Sequence, residues 1–422
     1  MPKQLILLPF LVLLAGGLLF SLAKDRVYKL NLADAPTFEE AGEPITNPNF
    51  FLETREKLIR EKADFVEADL SAMKLTLYEG GEPREIFPIL TKGREGSWWE
   101  TPAGVYRVGS KAQSHFSSFG QVYQPWSVQF QGNFFIHGWP YYPGGTPVAS
   151  TYSGGCIRLA TEDAKRIFER VETGTPILVF EDSLINGDGF DYGTGKGNKL
   201  KKLSSESYLV ADLKNNYVLA REDENRALPM GSIANLMIAL VATDHMNIEK
   251  RVGAYSIYDL LFPMLLESSD SAASAIAGVL GEDRFVKLMN QKAQAIGMTN
   301  TDFGSIPESE SISTAQNLFD LAKYLSANRS FILKMTTGHL DTAIYGKPAF
   351  SGLKNLNLFG DDPRFIGGQV EQGSGGKESF LAVFEISVKG EKRPVAIILF
   401  DSLDAEKDTR TVLDYVETNY QL

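Results

Sequence analysis

Apolar positions change rhythm several times along the chain. Residues 5–23, LILLPFLVLLAGGLLFSLA, form a nearly uncharged run behind a single basic residue, Lys3. A run of that length at the N-terminus predicts a signal peptide or a retained membrane anchor over 1–23, with Lys24, Asp25 and Arg26 closing it. Either form sends the chain out of the cytoplasm, and an uncleaved one ties it to the cytoplasmic membrane. Ser21 and Ala23 are small enough for a cleavage site. Residues 24–63 read as a spacer, rich in Pro, Asn and acidic residues over 30–50. Its second part, FLETREKLIREKA, carries Leu52, Glu56 and Ile59 at helical spacing and predicts a short helix.

From 64 to 182 short alternating runs such as KLTLYEG, GVYRVGS and SVQFQGNFFIHG are separated by Gly- and Pro-containing turns. This is the texture of a β-rich domain, interrupted by one helix near TEDAKRIFERVE. Residues 183–204 are dense in Gly, Asn, Asp and Lys and read as a flexible linker. From 205 to 422 the pattern runs from strands through helices and back to strands. SYLVADLKNNYVLARE predicts a hairpin around Lys214, Asn215 and Asn216. Helical stretches follow in NLMIALVA, SIYDLLFPMLLE, SAASAIAGVL and FVKLMNQKAQAIG. FLAVFEISV and RPVAIILFD then return to strand, and DTRTVLDYVETNY closes as a helix. Helices set within a mostly antiparallel strand framework predict an α+β domain. The fold expected is therefore multidomain: an N-terminal apolar helix, a β-rich domain, then an α+β domain.

Composition narrows the chemistry. A net charge of −11 argues against nucleic acid as a partner, because phosphate binding needs a basic face. A single cysteine, Cys156, excludes an intramolecular disulfide and a zinc site built from several thiolates. No metal site or cofactor is expected. GTGKGNK lacks the spacing of a phosphate loop, and NGDGFD puts Phe190 where a calcium loop needs an oxygen ligand.

Of the four histidines, His137 lies nineteen residues before Cys156 in IHGWPYYPGGTPVASTYSGGCIRL. A thiol attacks as thiolate, so it needs a base, and an imidazole in reach supplies one. Gly154 and Gly155 allow a tight turn that exposes amide N–H groups, as an oxyanion requires. Arg158 is a cation suited to a substrate carboxylate. A lone cysteine is otherwise a small buried apolar residue, but Tyr-Ser-Gly-Gly-Cys is a polar turn. His115 is expected on a loop, while His245 and His339 read as packing or surface residues. The aromatic clusters Trp98-Trp99 and Trp139-Tyr141-Tyr142 read as turn and core packing rather than sugar platforms, with a lid over the cleft from WPYY as the alternative.

These residues resemble the L,D-transpeptidases that remodel bacterial peptidoglycan. The likeness lies in His137-Gly138, in Ser153-Gly154-Gly155-Cys156-Ile157-Arg158-Leu159, in TPAGVYRV (Thr101 to Val108) and in ATEDAKRIFERVETGTPILVF. It implies that 64–182 is the catalytic domain, with Cys156 as nucleophile and His137 as base, oriented by the Gly138 carbonyl. It also implies substrate contacts from Ser153, Gly155 and Arg158, with amides of Gly155 and Cys156 on the oxyanion. The implied reaction is acyl transfer from a stem tetrapeptide with loss of D-Ala, giving 3→3 cross-links. Gly154 stands where the family usually has a second histidine.

Residues 205–422 resemble the D-alanyl-D-alanine carboxypeptidases, penicillin-binding serine enzymes with a β-lactamase-like fold. The likeness lies in LPMGSIANLMIALVA, LLFPMLLESSDSAASAIA and FVKLMNQKAQAIGMTNTDF. Their three motifs are S-x-x-K, S-x-N and K-T-G. Here they read Ser232-Ile233-Ala234-Asn235, Ser268-Ser269-Asp270 and Gln369-Val370-Glu371. An amide cannot take a proton from Ser232, so this domain is expected to be catalytically inactive and to bind stem peptides or a partner. Two alternatives stay open: a wall-binding scaffold without catalysis, and an L,D-carboxypeptidase that uses water as acceptor.

Overall fold

A computed structural model describes residues 50–420, apart from 186, 194, 308–309 and 340–346. The apolar run at 5–23 and most of the spacer lie outside the described residues. Among those described, no helix is long and apolar enough to cross a membrane.

Helix α1 (Phe50–Arg60) buries Phe50, Phe51, Thr54 and Leu58. Strands β1 (Phe65–Asp69), β2 (Lys74–Glu79), β3 (Glu82–Pro88) and β4 (Gly104–Arg107) follow. Then come β5 (Lys111–Ser117), β6 (Val122–Gln131), β7 (Phe134–His137), β8 (Ile157–Arg158), α2 (Thr161–Arg170) and β9 (Pro176–Phe180). They form two sheets, in the orders β3-β2-β1-β9-β4 and β5-β6-β7-β8. The sheets share an apolar core: Val66, Leu75 and Leu77 from one, Val128, Ile136 and Ile157 from the other. Helix α2 closes it with Ala164 and Ile167. The β-rich expectation holds.

A short helix, α3 (Asp182–Ile185), leads into the segment read as a linker. Its described residues make side-chain contacts with the second half. Arg393 pairs with Asp188 and Asp212, Tyr192 is buried and donates to Asp212 at 2.6 Å, and Asn198 binds Asn419. The Asp188 carboxylate is thereby held below its usual range by Arg393, and Phe190 lies under the same guanidinium.

The second half begins with the expected hairpin, β10 (Ser207–Asp212) and β11 (Val218–Glu222), turned by Asn216 at φ +59°. Next come β12 (Leu228–Pro229), α4 (Asn235–His245), β13 (Arg251–Val252), β14 (Tyr255–Ser256) and α5 (Ile257–Glu267). They are followed by α6 (Asp270–Gly278), α7 (Glu282–Ala295), β15 (Ile312–Ser313), α8 (Ala315–Asn328) and α9 (Ser330–Thr336). The chain ends in β16 (Phe365–Gln372), β17 (Glu378–Val388), β18 (Glu391–Ser402) and α10 (Ala405–Tyr420). An antiparallel sheet, β11-β10-β18-β17-β16, carries helices on both faces. Leu209, Leu381 and Ile398 face the helical middle; Val210, Phe380 and Ile397 face α10. Helix α4 is apolar all round because it runs through that middle, with Asn235 to Asp244 all buried.

The two halves share core and hydrogen bonds. Ala103, Phe180, Leu184 and Ile185 join the cluster built by α4–α9. Asn328 accepts from Ala103 N at 3.0 Å and donates to Thr101 O at 3.0 Å. Lys292 donates to Tyr106 Oη at 2.9 Å, and Tyr324 donates to Ala103 O at 3.1 Å. Lys292 and Arg329 both pair with Asp244 at 2.9 Å, with all three side chains fully buried. Burial alone would raise the Asp244 carboxyl, but the two cations hold it down to about 2.

Candidate active site

Strands β7 and β8 run parallel with Ile136 opposite Ile157 and His137 opposite Arg158. Side chains alternate across a strand. Ile136 and Ile157 enter the sandwich core, so His137 and Arg158 project from the opposite face. Cys156 immediately precedes β8. The sheet thus sets His137 level with Arg158, two residues beyond Cys156.

The turn before β8 is held by its own residues. Ser153 Oγ donates to Cys156 O at 2.5 Å and accepts from Gly155 N at 3.0 Å. Gly155 sits at φ +100°, where a Cβ would lie 2.1 Å from the Phe134 ring; only glycine fits. The expectation that Gly155 N–H stands free for an oxyanion is therefore corrected, because Ser153 already uses it. Both of these Ser153 Oγ contacts lie within the turn. Gly154 is open on its side-chain side, with nothing within 4 Å of an added Cβ.

His137 is buried, and its Nδ1 lies 2.6 Å from Gly138 O. A carbonyl only accepts, so Nδ1 carries the proton and Nε2 keeps its lone pair. That Nε2 is buried with no hydrogen-bond partner. Burial keeps the imidazole neutral, down to about 3. The Cys156 thiol is pushed up to about 11 by burial, against the opposing pull of the Phe135 backbone, Arg158 and Gln124. Burial thus favours the neutral form of both the thiol and the imidazole. Sulfur contacts are Gln124 Nε2 and Asn133 O, each at 3.9 Å.

Other cleft groups are also incompletely paired. Arg158 donates from Nη1 to Ser150 O at 3.3 Å and lies 5.7 Å from the Trp139 ring, while its Nε has no partner. Thr91, bridged to Arg158, leaves Oγ1 unpaired, and Gln124 leaves Oε1 unpaired. Buried polar atoms without partners are costly, and these offer a peptide both donors and acceptors. Trp139 donates to Val148 O at 3.0 Å, tying the WPYY segment over Arg158. His115, expected on a loop, lies on β5 opposite Gln124 and stacks on Phe135 at 4.5 Å. Gln124 and Asn133 were not singled out in the sequence.

Residues 63–179 match the L,D-transpeptidase catalytic domain, and residues 244–344 match D-alanyl-D-alanine carboxypeptidase. The chain joins these two kinds of domain. A D-alanyl-D-alanine endopeptidase of Escherichia coli is 27% identical over 175 residues, covering 36% of this chain and 56% of that protein. A D-alanyl-D-alanine carboxypeptidase of Mycobacterium tuberculosis is 31% identical over 152 residues, covering 30% of this chain and 52% of that protein. The chain spans just over half the length of these curated relatives. Among solved structures, a D-alanyl-D-alanine carboxypeptidase from Mycobacterium tuberculosis aligns with 23% identity and a TM-score of 0.44, over 53% of this chain and 95% of that one. The carboxypeptidase match begins after Ser232 and ends before Gln369.

In the carboxypeptidase-like domain the three altered motifs do meet. Ser232 Oγ donates to Glu371 Oε2 at 2.7 Å, and Ser232 N donates to the same oxygen at 2.8 Å. Gln369 Nε2 donates to Ser268 Oγ at 3.1 Å, and Ser268 Oγ to Ser232 Oγ at 3.3 Å. Asn235 turns its amide nitrogen to Met264 O at 3.2 Å. A carboxylate and two neutral amides now occupy the site that the family motifs supply with two lysines.

Proposed function

We propose that the chain is an exported cysteine acyltransferase of the cell envelope, an L,D-transpeptidase acting on peptidoglycan stem peptides. The observation that carries this reading is the unpartnered Nε2 of His137, its tautomer fixed by Gly138 O, on the strand paired with the one that follows Cys156. His137 Nε2 takes the thiol proton as Sγ bonds to the carbonyl carbon of the L,D-bond. The proton passes to the departing amine, the C–N bond breaks, and D-Ala leaves a thioester. An acceptor amine then attacks the thioester carbon and loses its proton to Nε2. The C–S bond breaks, and sulfur takes the proton back.

Arg158 is suited to the stem carboxylate, and the unpaired Thr91 and Gln124 oxygens to peptide N–H groups. The second domain does not hydrolyse through Ser232 in this reading, because Asn235 has no basicity and Glu371 blocks the serine amide. It holds stem peptides near the cysteine instead, raising their local concentration.

Incubation with purified disaccharide-tetrapeptide, read by mass spectrometry, tests the reading. A 3→3 dimer, loss of D-Ala and a thioester adduct on Cys156 are expected. Loss of D-Ala without dimer would make the enzyme an L,D-carboxypeptidase. Turnover retained by Cys156→Ala would refute the cysteine mechanism.

A further inference from the structure

The turn between β6 and β7 touches both the cysteine and the second domain. On one side Asn133 O accepts from Cys156 Sγ at 3.9 Å, and the Phe134 ring fills the space beside Gly155. On the other side Asn133 N donates to Asp244 O at 3.3 Å, at the end of α4. Gln131 Nε2 reaches Asp244 Oδ2 at 3.3 Å and His245 Nε2 at 3.2 Å. Between them Gly132, at φ +46°, packs so closely that a Cβ would stand 2.1 Å from Asp244 O. The Arg329 guanidinium lies 6.0 Å from the Phe134 ring.

Asp244 is therefore fixed by Lys292 and Arg329 from within its own domain, and its carbonyl grips Asn133, the residue whose own carbonyl meets the sulfur. The same Lys292 donates to Tyr106 on β4. Buried ion pairs of this kind are costly to break and poor at adapting, so the grip is stiff. A sub-ångström shift of the turn would move the thiol relative to Nε2, and reaction rates are steep in that geometry.

We propose that the carboxypeptidase-like domain is part of the cysteine centre, with Gln131 and Asp244 as positioning residues that set the β6–β7 turn and through it the pose of the Cys156 thiol. The proposal rests on the thiol reading above for its catalytic meaning. Its physical content, the coupling of α4 to thiol reactivity, can be measured without turnover.

The experiment uses the full chain with Gln131→Ala and Gly132→Ala, and with Gln121→Ala as a control on the exposed end of the β5–β6 hairpin. The readouts are the rate of Cys156 alkylation by iodoacetamide near neutral pH, thermal melting, and kcat against KM on tetrapeptide. The expected result is a fall of about tenfold in alkylation rate and in kcat for Gln131→Ala, with KM unchanged and the protein folded. Gly132→Ala should fall at least as far, and Gln121→Ala should match wild type. Equal alkylation rates in folded Gln131→Ala and wild type would overturn the proposal, whatever becomes of Gly132→Ala. If wild type forms no acyl-transfer product but the alkylation difference stands, the coupling is upheld and the transpeptidase reading fails.

Discussion

Glu371 holds Ser232 by both of its polar groups, with one carboxylate oxygen 2.8 Å from the amide and 2.7 Å from the hydroxyl. An amide N–H beside a serine nucleophile is where an acyl oxyanion would settle, and here a side chain of the same chain already sits on it. The fit is close on the Gly231 side as well, where an added Cβ would meet the Glu371 carboxyl at 2.2 Å. Ser232 is thus satisfied rather than activated.

The consequence concerns penicillin. Intact-mass measurement after exposure to benzylpenicillin should show no ester on Ser232. Glu371→Gly should stay unlabelled too, because freeing the amide leaves Asn235 without a basic nitrogen. An ester on wild-type Ser232 would show instead that Glu371 works as a base, and the inactive-domain reading would fall.

The cysteine centre is neutral at rest, and this has a kinetic signature. With the thiol up at about 11 and the imidazole down at about 3, no thiolate–imidazolium pair forms between those values. The alkylation rate of Cys156 should climb with pH toward about 11 with no plateau around neutrality. His137→Ala should lower turnover by about 10²–10⁴-fold. A flat alkylation profile from acid to neutral pH would show a preformed ion pair and contradict the burial-driven shifts.

Different parts of this arrangement were legible in the sequence to different degrees. Cys156, His137 and the two glycines could be read because a glycine turn and a lone thiol carry their chemistry locally. Gln124 could not. It lies in the alternating run VYQPWSVQFQ, where a polar residue reads as solvent-facing, yet it is buried with its amide 3.9 Å from the sulfur. His115 hid in a polar stretch, SKAQSHFSSFG, that becomes a strand only by pairing with β6. Residues 187–204 looked loose because their composition is polar. What holds them, Arg393 and Asn419, comes from roughly two hundred residues downstream, and no local pattern announces it. The shared interdomain core was invisible for the same reason.

The paired glycines before Cys156 make opposite demands. Gly154→Ala, or even Gly154→His, enters open space and should change stability by less than about 1 kcal/mol. Gly155→Ala must displace the Phe134 ring and the Trp99 carbonyl, 2.1 Å and 2.8 Å from the new Cβ, in a left-handed backbone. A loss of about 3 kcal/mol or more is expected, with Cys156 alkylation slowed. Chemical denaturation of the two variants side by side measures the contrast. Equal stabilities would mean that the turn is not held as described.

Glu100 gives a prediction whose sign can be worked out. It is 2% exposed, accepts from Gly96 N at 3.0 Å, and is raised to about 8, chiefly by burial, with Arg329 opposing. The unfolded chain releases this proton near the ordinary glutamate value, about 4.3. Between there and about 8 the folded state binds more protons than the unfolded one. Stability is therefore fully present at low pH and is lost as pH rises through that window. Glu100→Gln keeps an acceptor for Gly96 N and removes the titration. Near neutral pH it should raise stability by roughly 1–3 kcal/mol, and it should flatten the decline in melting temperature between about pH 5 and pH 8. A variant that melts lower than wild type near neutral pH would show that the Glu100 carboxyl is ionised and bound by Arg329, with the opposite pH slope.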